Sequence, residues 1–523
     1  MPSTVGAKWF ALAVLVATLA VAARVATIDG KAVLTHDETV SYLAATCHQG
    51  EYGRMLARGA APVGTWVPAR TWQRFLEPEP RWCLGTIRAD LAHWDIHPPA
   101  YFWLLHAWTR AFGTGLGTGA ALGFLIDVLT ALALFGLARE VTRRASAAIA
   151  VSAVWALSPA VVPIAAEARQ YPLLALAAVL LAWAVTRLLG RGASARRCLA
   201  LAAVTCLGLL THFQFPVVAA GAGLLLLGPM LRRPRGSATA GVAAMAAGAL
   251  LALLVQPGFA ESLRRQQEQA AGANDVLARL GHTVRTLANF LLPGSVMPTA
   301  LAVVIVAAGA VLLLLVVRDR RRERDESALR VVFLFGWIAA VTCASYLAGR
   351  SHGQAMAGKY LAAAWPFAAF VPVLALHLLA RRARPFVAVT GAASLASLGL
   401  LAGVAWYPDR APPPSMTLAR GDGAVVDVTR RGELPRLAFL LPADLPVFAA
   451  DQRSLASPGF WRRLPERRLV YLSNTFGTNT PAEQDRVLDA AAHRRWRVRS
   501  ARRGLWQAAD AFVLTRARAR RRG

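Results

Sequence analysis

Apolar stretches close to membrane-crossing length recur along the chain, separated by short polar connections. They lie near residues 9–27, 118–140, 146–165, 172–188, 198–212, 215–230, 238–256, 299–317, 331–348, 360–380 and 386–406. A helix needs about 20 apolar residues to cross roughly 30 Å of hydrocarbon, so the pattern predicts an α-helical polytopic membrane protein with about eleven transmembrane helices. The segment 98–113 (PPAYFWLLHAWTRAFG) is shorter and carries His106 and Arg110 with two tryptophans. It reads as an amphipathic helix lying in the interface. Past Pro412-Pro413-Pro414 the pattern changes to short strand-like runs at Val447–Ala450, Leu469–Leu472, Trp496–Arg499 and Ala511–Thr515, with a helical stretch at 482–493. This predicts a small external α/β domain over 407–523, set apart from a membrane region over 1–406.

Charge fixes the expected sidedness. The net charge is +29, and arginine supplies nearly all of the excess. Clusters at Arg139/Arg143/Arg144, Arg187/Arg191/Arg196/Arg197, Arg232/Arg233/Arg235, Arg318–Arg324 and Arg381/Arg382/Arg384 occupy short connections two spans apart. Short arginine-rich loops stay cytoplasmic. The N-terminus is then cytoplasmic in a plasma (inner) membrane. The loop 28–117, the second large loop 257–298 and the C-terminal domain face outside. Counting 98–113 as a span would break the alternation. Basic clusters spaced by apolar spans are topology signals rather than a nucleic-acid footprint, so no nucleic-acid partner is expected. Cys47 and Cys83 both fall in the first external loop. There they are either a disulfide or two separate buried thiols.

Candidate chemistry gathers at the outer ends of the spans. Thr35-His36-Asp37-Glu38 follows the first span. It reads either as a helix cap, with Glu38 in the first turn, or as a working carboxylate pair. Asp95-Ile96-His97-Pro98-Pro99 opens the interfacial helix, and the two prolines suit a first helical turn. They aim Asp95 and His97 at the membrane surface, where Asp37 also emerges. Glu167-Ala168-Arg169-Gln170-Tyr171 joins two spans, Thr211-His212-Phe213-Gln214-Phe215-Pro216 forms a tight hairpin, and Arg350, Lys359 and Tyr360 lie in another outer segment. Charge at a membrane boundary is costly, which makes each of these a functional candidate. For Glu167 and Arg169 a mutual ion pair is the structural alternative. Asp127 falls within a span, and no role is assigned to it. Asp37, Glu38, Asp95 and His97 are the groups able to ligate a divalent metal, although no ligand spacing demands one.

The Asp-Glu pair after the first span, Asp-x-His-Pro-Pro and Glu-Ala-Arg-x-Tyr resemble the polytopic glycosyltransferases of the GT-C fold, in particular the protein O-mannosyltransferases and the lipid A aminoarabinose transferases. The resemblance implies a polyprenyl-phosphate-linked sugar donor. The acceptor would be extracytoplasmic: an envelope glycan, a lipid or a protein. It casts Asp37 as general base with Glu38 as its neighbour. Asp95, His97, Glu167, Arg169, Tyr171 and His212 would line the donor and acceptor cavity, with Arg350, Lys359 and Tyr360 toward the lipid phosphate. One carboxylate acting without a covalent intermediate implies inversion at the anomeric carbon. The C-terminal domain matches no motif. A polytopic transporter or lipid flippase, or an envelope scaffold, are the alternative classes.

Overall fold

The computed structural model describes residues 4–29, 31, 34–95, 97–259, 264, 276–292, 297–348, 358–379, 422–427, 434–439, 441–465, 468–474, 481–505 and 509–517. The chain divides into two compact units.

The first unit comprises residues 1–29, 91–104 and 119–407 and is helical throughout its described part. Among the described residues, six helices are long and apolar enough to cross a membrane. They are Thr118–Thr142, Tyr171–Arg191, Phe215–Arg232, Ser237–Val255, Thr299–Arg322 and Glu326–Leu347. The helix Thr4–Asp29 covers the first predicted span, and Ala195–Leu209 covers most of the fifth. The most apolar of them, Thr299–Arg322, is only 11% buried across its apolar window. Leu301, Val304 and Leu314 are open to the surroundings, as expected of a face that meets lipid rather than water.

Two predicted spans are broken. The stretch read as 146–165 is two helices, Ala145–Ala156 and Val161–Ala166. Pro159 cannot donate to the helical ladder. Ser158 Oγ accepts from Ala160 N–H at 3.3 Å and donates to the Phe290 carbonyl at 2.8 Å, so the break is satisfied by side-chain hydrogen bonds. The stretch read as 360–380 begins as a 3₁₀ turn, Gly358–Leu361, and continues as Trp365–Ala368 and Phe370–Leu379. Pro366 and Pro372 interrupt its ladder. The span read at 386–406 lies outside the described residues.

Asp127 has a partner. Arg24 Nε and Nη2 reach Asp127 Oδ2 at 2.8 and 2.6 Å, and its Nη1 donates to the Ala156 carbonyl. Both side chains are almost fully buried. The pair clamps Thr4–Asp29 to Thr118–Thr142. Removing one partner of a buried ion pair leaves an uncompensated charge and costs about 3–5 kcal/mol, whereas an apolar pair of similar volume is close to neutral. Arg24→Met and Asp127→Leu are therefore each expected to lower the detergent melting temperature sharply. The double variant is expected to recover most of the loss, and thermal unfolding of the three proteins checks this.

The second unit comprises residues 30–90, 105–118 and 408–523 and holds a six-stranded sheet. Its strands are β1 (Trp66–Pro68), β2 (Gly423–Asp427), β3 (Pro446–Ala450), β4 (Leu469–Asn474), β5 (Trp496–Leu505) and β6 (Ala509–Arg516), in the order β1-β3-β2-β4-β6-β5. The central strand β2 pairs parallel with β3 and β4, and the outer pairs are antiparallel. Every residue of β2 is buried, the mark of a strand flanked on both sides. Trp461, Tyr471, Trp496 and Phe512 fill the core against the helix Pro481–Ala492. The four expected strands and the helix are all present. Two strands were not expected: the central β2, and β1, which comes from the first loop and pairs with β3, so the sheet of the 408–523 segment borrows a strand from residues 30–90. Gln73 strengthens that link by donating to the Ala438 and Leu441 carbonyls at 2.8 and 2.7 Å.

Cys47 and Cys83 are disulfide-bonded in this unit. The imidazole of His106 lies 3.7 Å from Cys83 Sγ and donates through Nδ1 to the Ala45 carbonyl at 2.7 Å. Burial pushes His106 below its ordinary value. The helix Ala100–Phe112 that carries it has 13 residues, too short to cross a bilayer and of the length expected for an interfacial element.

Candidate active site

In the helical unit, four connections at one end of the helices bring the predicted residues together. The first is the Asp95–Pro99 stretch before Ala100–Phe112, tied to the hairpin after Ala195–Leu209 by the Ala100 N–H donating to the Leu210 carbonyl at 2.8 Å. His97 Nδ1 lies 2.7 Å from Asp95 Oδ1, and Arg169 Nη2 lies 3.4 Å from His97 Nε2. A guanidinium only donates, so Nε2 accepts and the ring proton sits on Nδ1, directed at Asp95. Asp95, His97 and Arg169 thus form a charge-capped chain, with Arg169 only 5% exposed.

The second connection, Glu167–Tyr171, ends the short helix Val161–Ala166 and starts Tyr171–Arg191. Pro172 at the first turn stops the preceding helix from continuing, and the Arg169 N–H returns to the Glu167 carbonyl at 2.8 Å. The turn points successive polar side chains in different directions. Glu167 Oε2 lies 3.6 Å from Lys359 Nζ, so the carboxylate reaches across to a third connection. Lys359 Nζ also stands 5.7 Å from the centre of the Tyr171 ring. A cation over an aromatic face is attracted by the ring quadrupole.

The hairpin 210–214 closes the arrangement. His212 packs its ring 5.2 Å from Tyr171 and 6.2 Å from His97, and Tyr360 lies 6.4 Å from Tyr171. Gln214 N–H donates to His212 Nδ1 at 3.0 Å, which leaves the His212 proton on Nε2. Burial, then the neighbouring His97 and Arg169, hold His212 down at about 3 against an ordinary value of 6.5. Gln214 was not among the expected site residues. Its side chain donates to Thr342 Oγ1 at 2.9 Å and to the Tyr360 carbonyl, which seats the Gly358–Leu361 turn. The signal was present in the sequence as a lone amide between Phe213 and Phe215.

A pH prediction follows from His212. Its folded value lies below its unfolded one, so the unfolded chain binds the extra proton between about pH 6.5 and 3. Stability from this group is present above that window and is lost as pH falls through it. His212→Gln is expected to flatten the acid side of the melting-temperature profile below pH 6.5. It is also expected to leave no change in the pH dependence of activity between pH 7 and 8, which a paired titration of both proteins measures.

Asp37 and Glu38 belong to the second unit, on the helix His36–Ala45. Thr35 caps that helix. Its hydroxyl accepts from Glu38 N–H at 3.2 Å while Glu38 Oε2 accepts from Thr35 N–H at 2.9 Å, a complete capping box. Glu38 is fully buried and pairs with Lys31. The cap reading therefore holds for Glu38, whose carboxylate is occupied by structure. Asp37 occupies the second helical position and is only partly buried, beside the positive end of the helix dipole. Arg350 lies outside the described residues. Among the described residues, the one cluster with metal-ligand geometry is Cys47, Cys83 and His106. Its two sulfurs are consumed in the disulfide, and a thiolate is what a metal requires.

Residues 96–257 match the family model of the dolichyl-phosphate-mannose-protein mannosyltransferases. That span contains His97, Glu167, Arg169, Tyr171 and His212, whereas Asp37, Glu38 and Asp95 precede it. The whole chain is similar to the crystal structure of ArnT from Cupriavidus metallidurans in the apo state, with a TM-score of 0.55 at 13% identity, covering 98% of each chain. The same protein bound to undecaprenyl phosphate matches with a TM-score of 0.45 at 15% identity, covering 96% of this chain and 97% of that one. The apo oligosaccharyltransferase of Archaeoglobus fulgidus matches with a TM-score of 0.47 at 11% identity, over 91% of this chain and 68% of that one. Comparison with curated protein sequences finds no match. The chain is a multi-pass membrane protein with the GT-C fold, and its residues 96–257 are similar to the dolichyl-phosphate-mannose-protein mannosyltransferase family.

Proposed function

We propose that this protein transfers a sugar from a polyprenyl-phosphate donor to a hydroxyl acceptor on the outer face of the plasma membrane. The observation that supports this most strongly is the gathering of Arg169 and Lys359 with Tyr171, Tyr360 and two histidines at one end of the apolar helices. A sugar linked to a lipid phosphate needs cations for the phosphate, ring faces for the sugar and hydrocarbon for the tail. This group offers the first two beside helices that suit the third.

In the proposed reaction the acceptor oxygen bonds to the anomeric carbon as the bond from that carbon to the phosphate oxygen breaks. The bonding pair leaves on polyprenyl phosphate, and the acceptor proton passes to the Asp37 carboxylate. Direct displacement inverts the anomeric centre. Polyprenyl phosphate leaves well, so the catalytic need on its side is charge stabilisation rather than a proton. Fixed donors of that kind are worth about 10²–10³ in rate each, and a positioned general base about 10²–10⁴. Glu167 holds Lys359 in place, and the Asp95–His97 pair holds Arg169, so neither cation must be ordered when the donor arrives. Glu38 positions Asp37 through the capping box. The N-terminus is cytoplasmic in this reading, and the second unit with its disulfide is extracytoplasmic.

Transport is the competing activity. Asp127, the acidic side chain best placed to favour it, is committed to Arg24 in the helix clamp. Mass spectrometry of envelope glycolipids, polysaccharide and glycoproteins with and without the gene tests the proposal. The expected result is loss of one sugar modification with accumulation of the polyprenyl-phosphate sugar. An unchanged glycan inventory would contradict it.

A further inference from the structure

The helix that begins with Tyr171 ends at Arg191, about 30 Å away at 1.5 Å per residue. At that far end lies a cavity of about 460 Å³ between this helix and Ala195–Leu209. It belongs to neither the site above nor the reaction proposed for it. Its walls are of two kinds. Leu180 and Val204 represent an apolar wall, and Arg187, Arg191, Arg196 and Arg197 supply a rim of four guanidinium groups.

The four arginines are not equivalent. Arg187 and Arg191 reach a single carboxylate, Glu140, at 3.3 and 2.8 Å. Arg197 donates to the Arg191 carbonyl at 2.8 Å and to that of Gly192, closing the end of the helix. Among the described residues Arg196 makes no hydrogen bond or ion pair, and it is exposed at the rim. Four cations therefore share one anion. Trp183 also lines the cavity. Its ring lies so close to Gly136 that an added Cβ there would sit 2.4 Å from it, and the Arg187 guanidinium stacks 4.2 Å from the ring centre. Held between them, the indole has a buried N–H with no hydrogen-bond partner among the described residues. The ring thus forms part of the cavity wall beneath the Arg187 guanidinium.

We infer that this cavity binds the headgroup of an anionic phospholipid. The phosphate sits among Arg187, Arg191 and Arg196, and the acyl chains run along the wall formed by Leu180, Trp183 and Val204. The apolar wall is what separates this ligand from a free anion, which would have no use for it. The position at the end of a bilayer-length helix is where headgroups meet hydrocarbon. Basic pockets between membrane helices bind anionic headgroups by this combination of charge and apolar contact. A topology signal alone needs arginines in a loop but neither a cavity nor an apolar wall beside them.

The test uses the full-length protein, delipidated in detergent, with native mass spectrometry against phosphatidylglycerol, phosphatidylcholine and inorganic phosphate. Phosphatidylglycerol is expected to bind at least 10-fold more tightly than phosphatidylcholine, and 10 mM phosphate is expected not to displace it. R196Q removes a guanidinium with no partner among the described residues and should weaken binding 3- to 10-fold at an unchanged melting temperature. W183F deletes one ring of the indole, and with it much of the face on which the Arg187 guanidinium stacks, and should weaken binding about 5-fold. Equal binding of the two lipids, displacement by free phosphate, or wild-type affinity in both variants would each overturn the inference.

Discussion

Asp37→Asn is expected to lower sugar transfer by about 10²–10⁴, the range that a positioned general base contributes. The amide matches the carboxylate in shape but cannot accept the acceptor's proton. Asp37 is the second residue of its helix, and the cap is made by Thr35 and Glu38, so the substitution leaves the capping box intact. Its melting temperature is expected to stay near that of the wild type. Glu38→Gln separates base from scaffold. Glutamine at the third helical position still completes a capping box, and what it loses is charge toward Lys31. That variant is expected to be somewhat less stable yet to keep most of its activity. A chain whose two adjacent acids responded in the opposite sense would have its base at Glu38.

Arg169→Gln is expected to cost about 10²–10³ in kcat, because in the proposed reaction its guanidinium supplies charge to the departing phosphate. The same change removes the donor to His97 Nε2 and frees the ring to change tautomer. Arg169→Lys is expected to recover little of the loss, since an ammonium lacks the planar fork that meets both a ring nitrogen and a phosphate. Lys359→Gln acts differently. Lys359 is less buried than Arg169 and shares its charge with Glu167, so its loss is expected to raise KM more than it lowers kcat. Steady-state kinetics with the donor varied at a saturating acceptor distinguish the two patterns.

The features legible in the sequence were those fixed by neighbours along the chain. The capping box spans four residues, Thr35 to Glu38, and Pro98-Pro99 sets the start of the interfacial helix within two. Four strands of the second unit, β3 to β6, announced themselves as short apolar runs between turn residues, whereas the central β2 was missed. The features that escaped depend on partners far apart. Asp127 had no role in the sequence, because its counter-ion Arg24 lies about a hundred residues earlier, inside the first span. The strand β1 has three residues and no strand signal of its own, and it exists because β3 offers it an edge. Glu167 illustrates the same limit within the site. Arg169, two residues away, was the obvious partner, but the turn swings Glu167 toward Lys359, nearly two hundred residues downstream. Helical breaks were half visible, since Pro159 and Pro366 mark them, but only packing shows that Ser158 makes the first one tolerable.

The central claim is that Arg169 and Lys359 hold the phosphate of a polyprenyl carrier, and binding of undecaprenyl phosphate to the purified protein tests it without knowledge of the sugar or the acceptor. Native mass spectrometry should show the wild type retaining undecaprenyl phosphate in preference to undecaprenol, with at least a 10-fold loss of affinity in the Arg169→Gln/Lys359→Gln protein. Equal retention of phosphate and alcohol, or unchanged binding once both charges are removed, would contradict it.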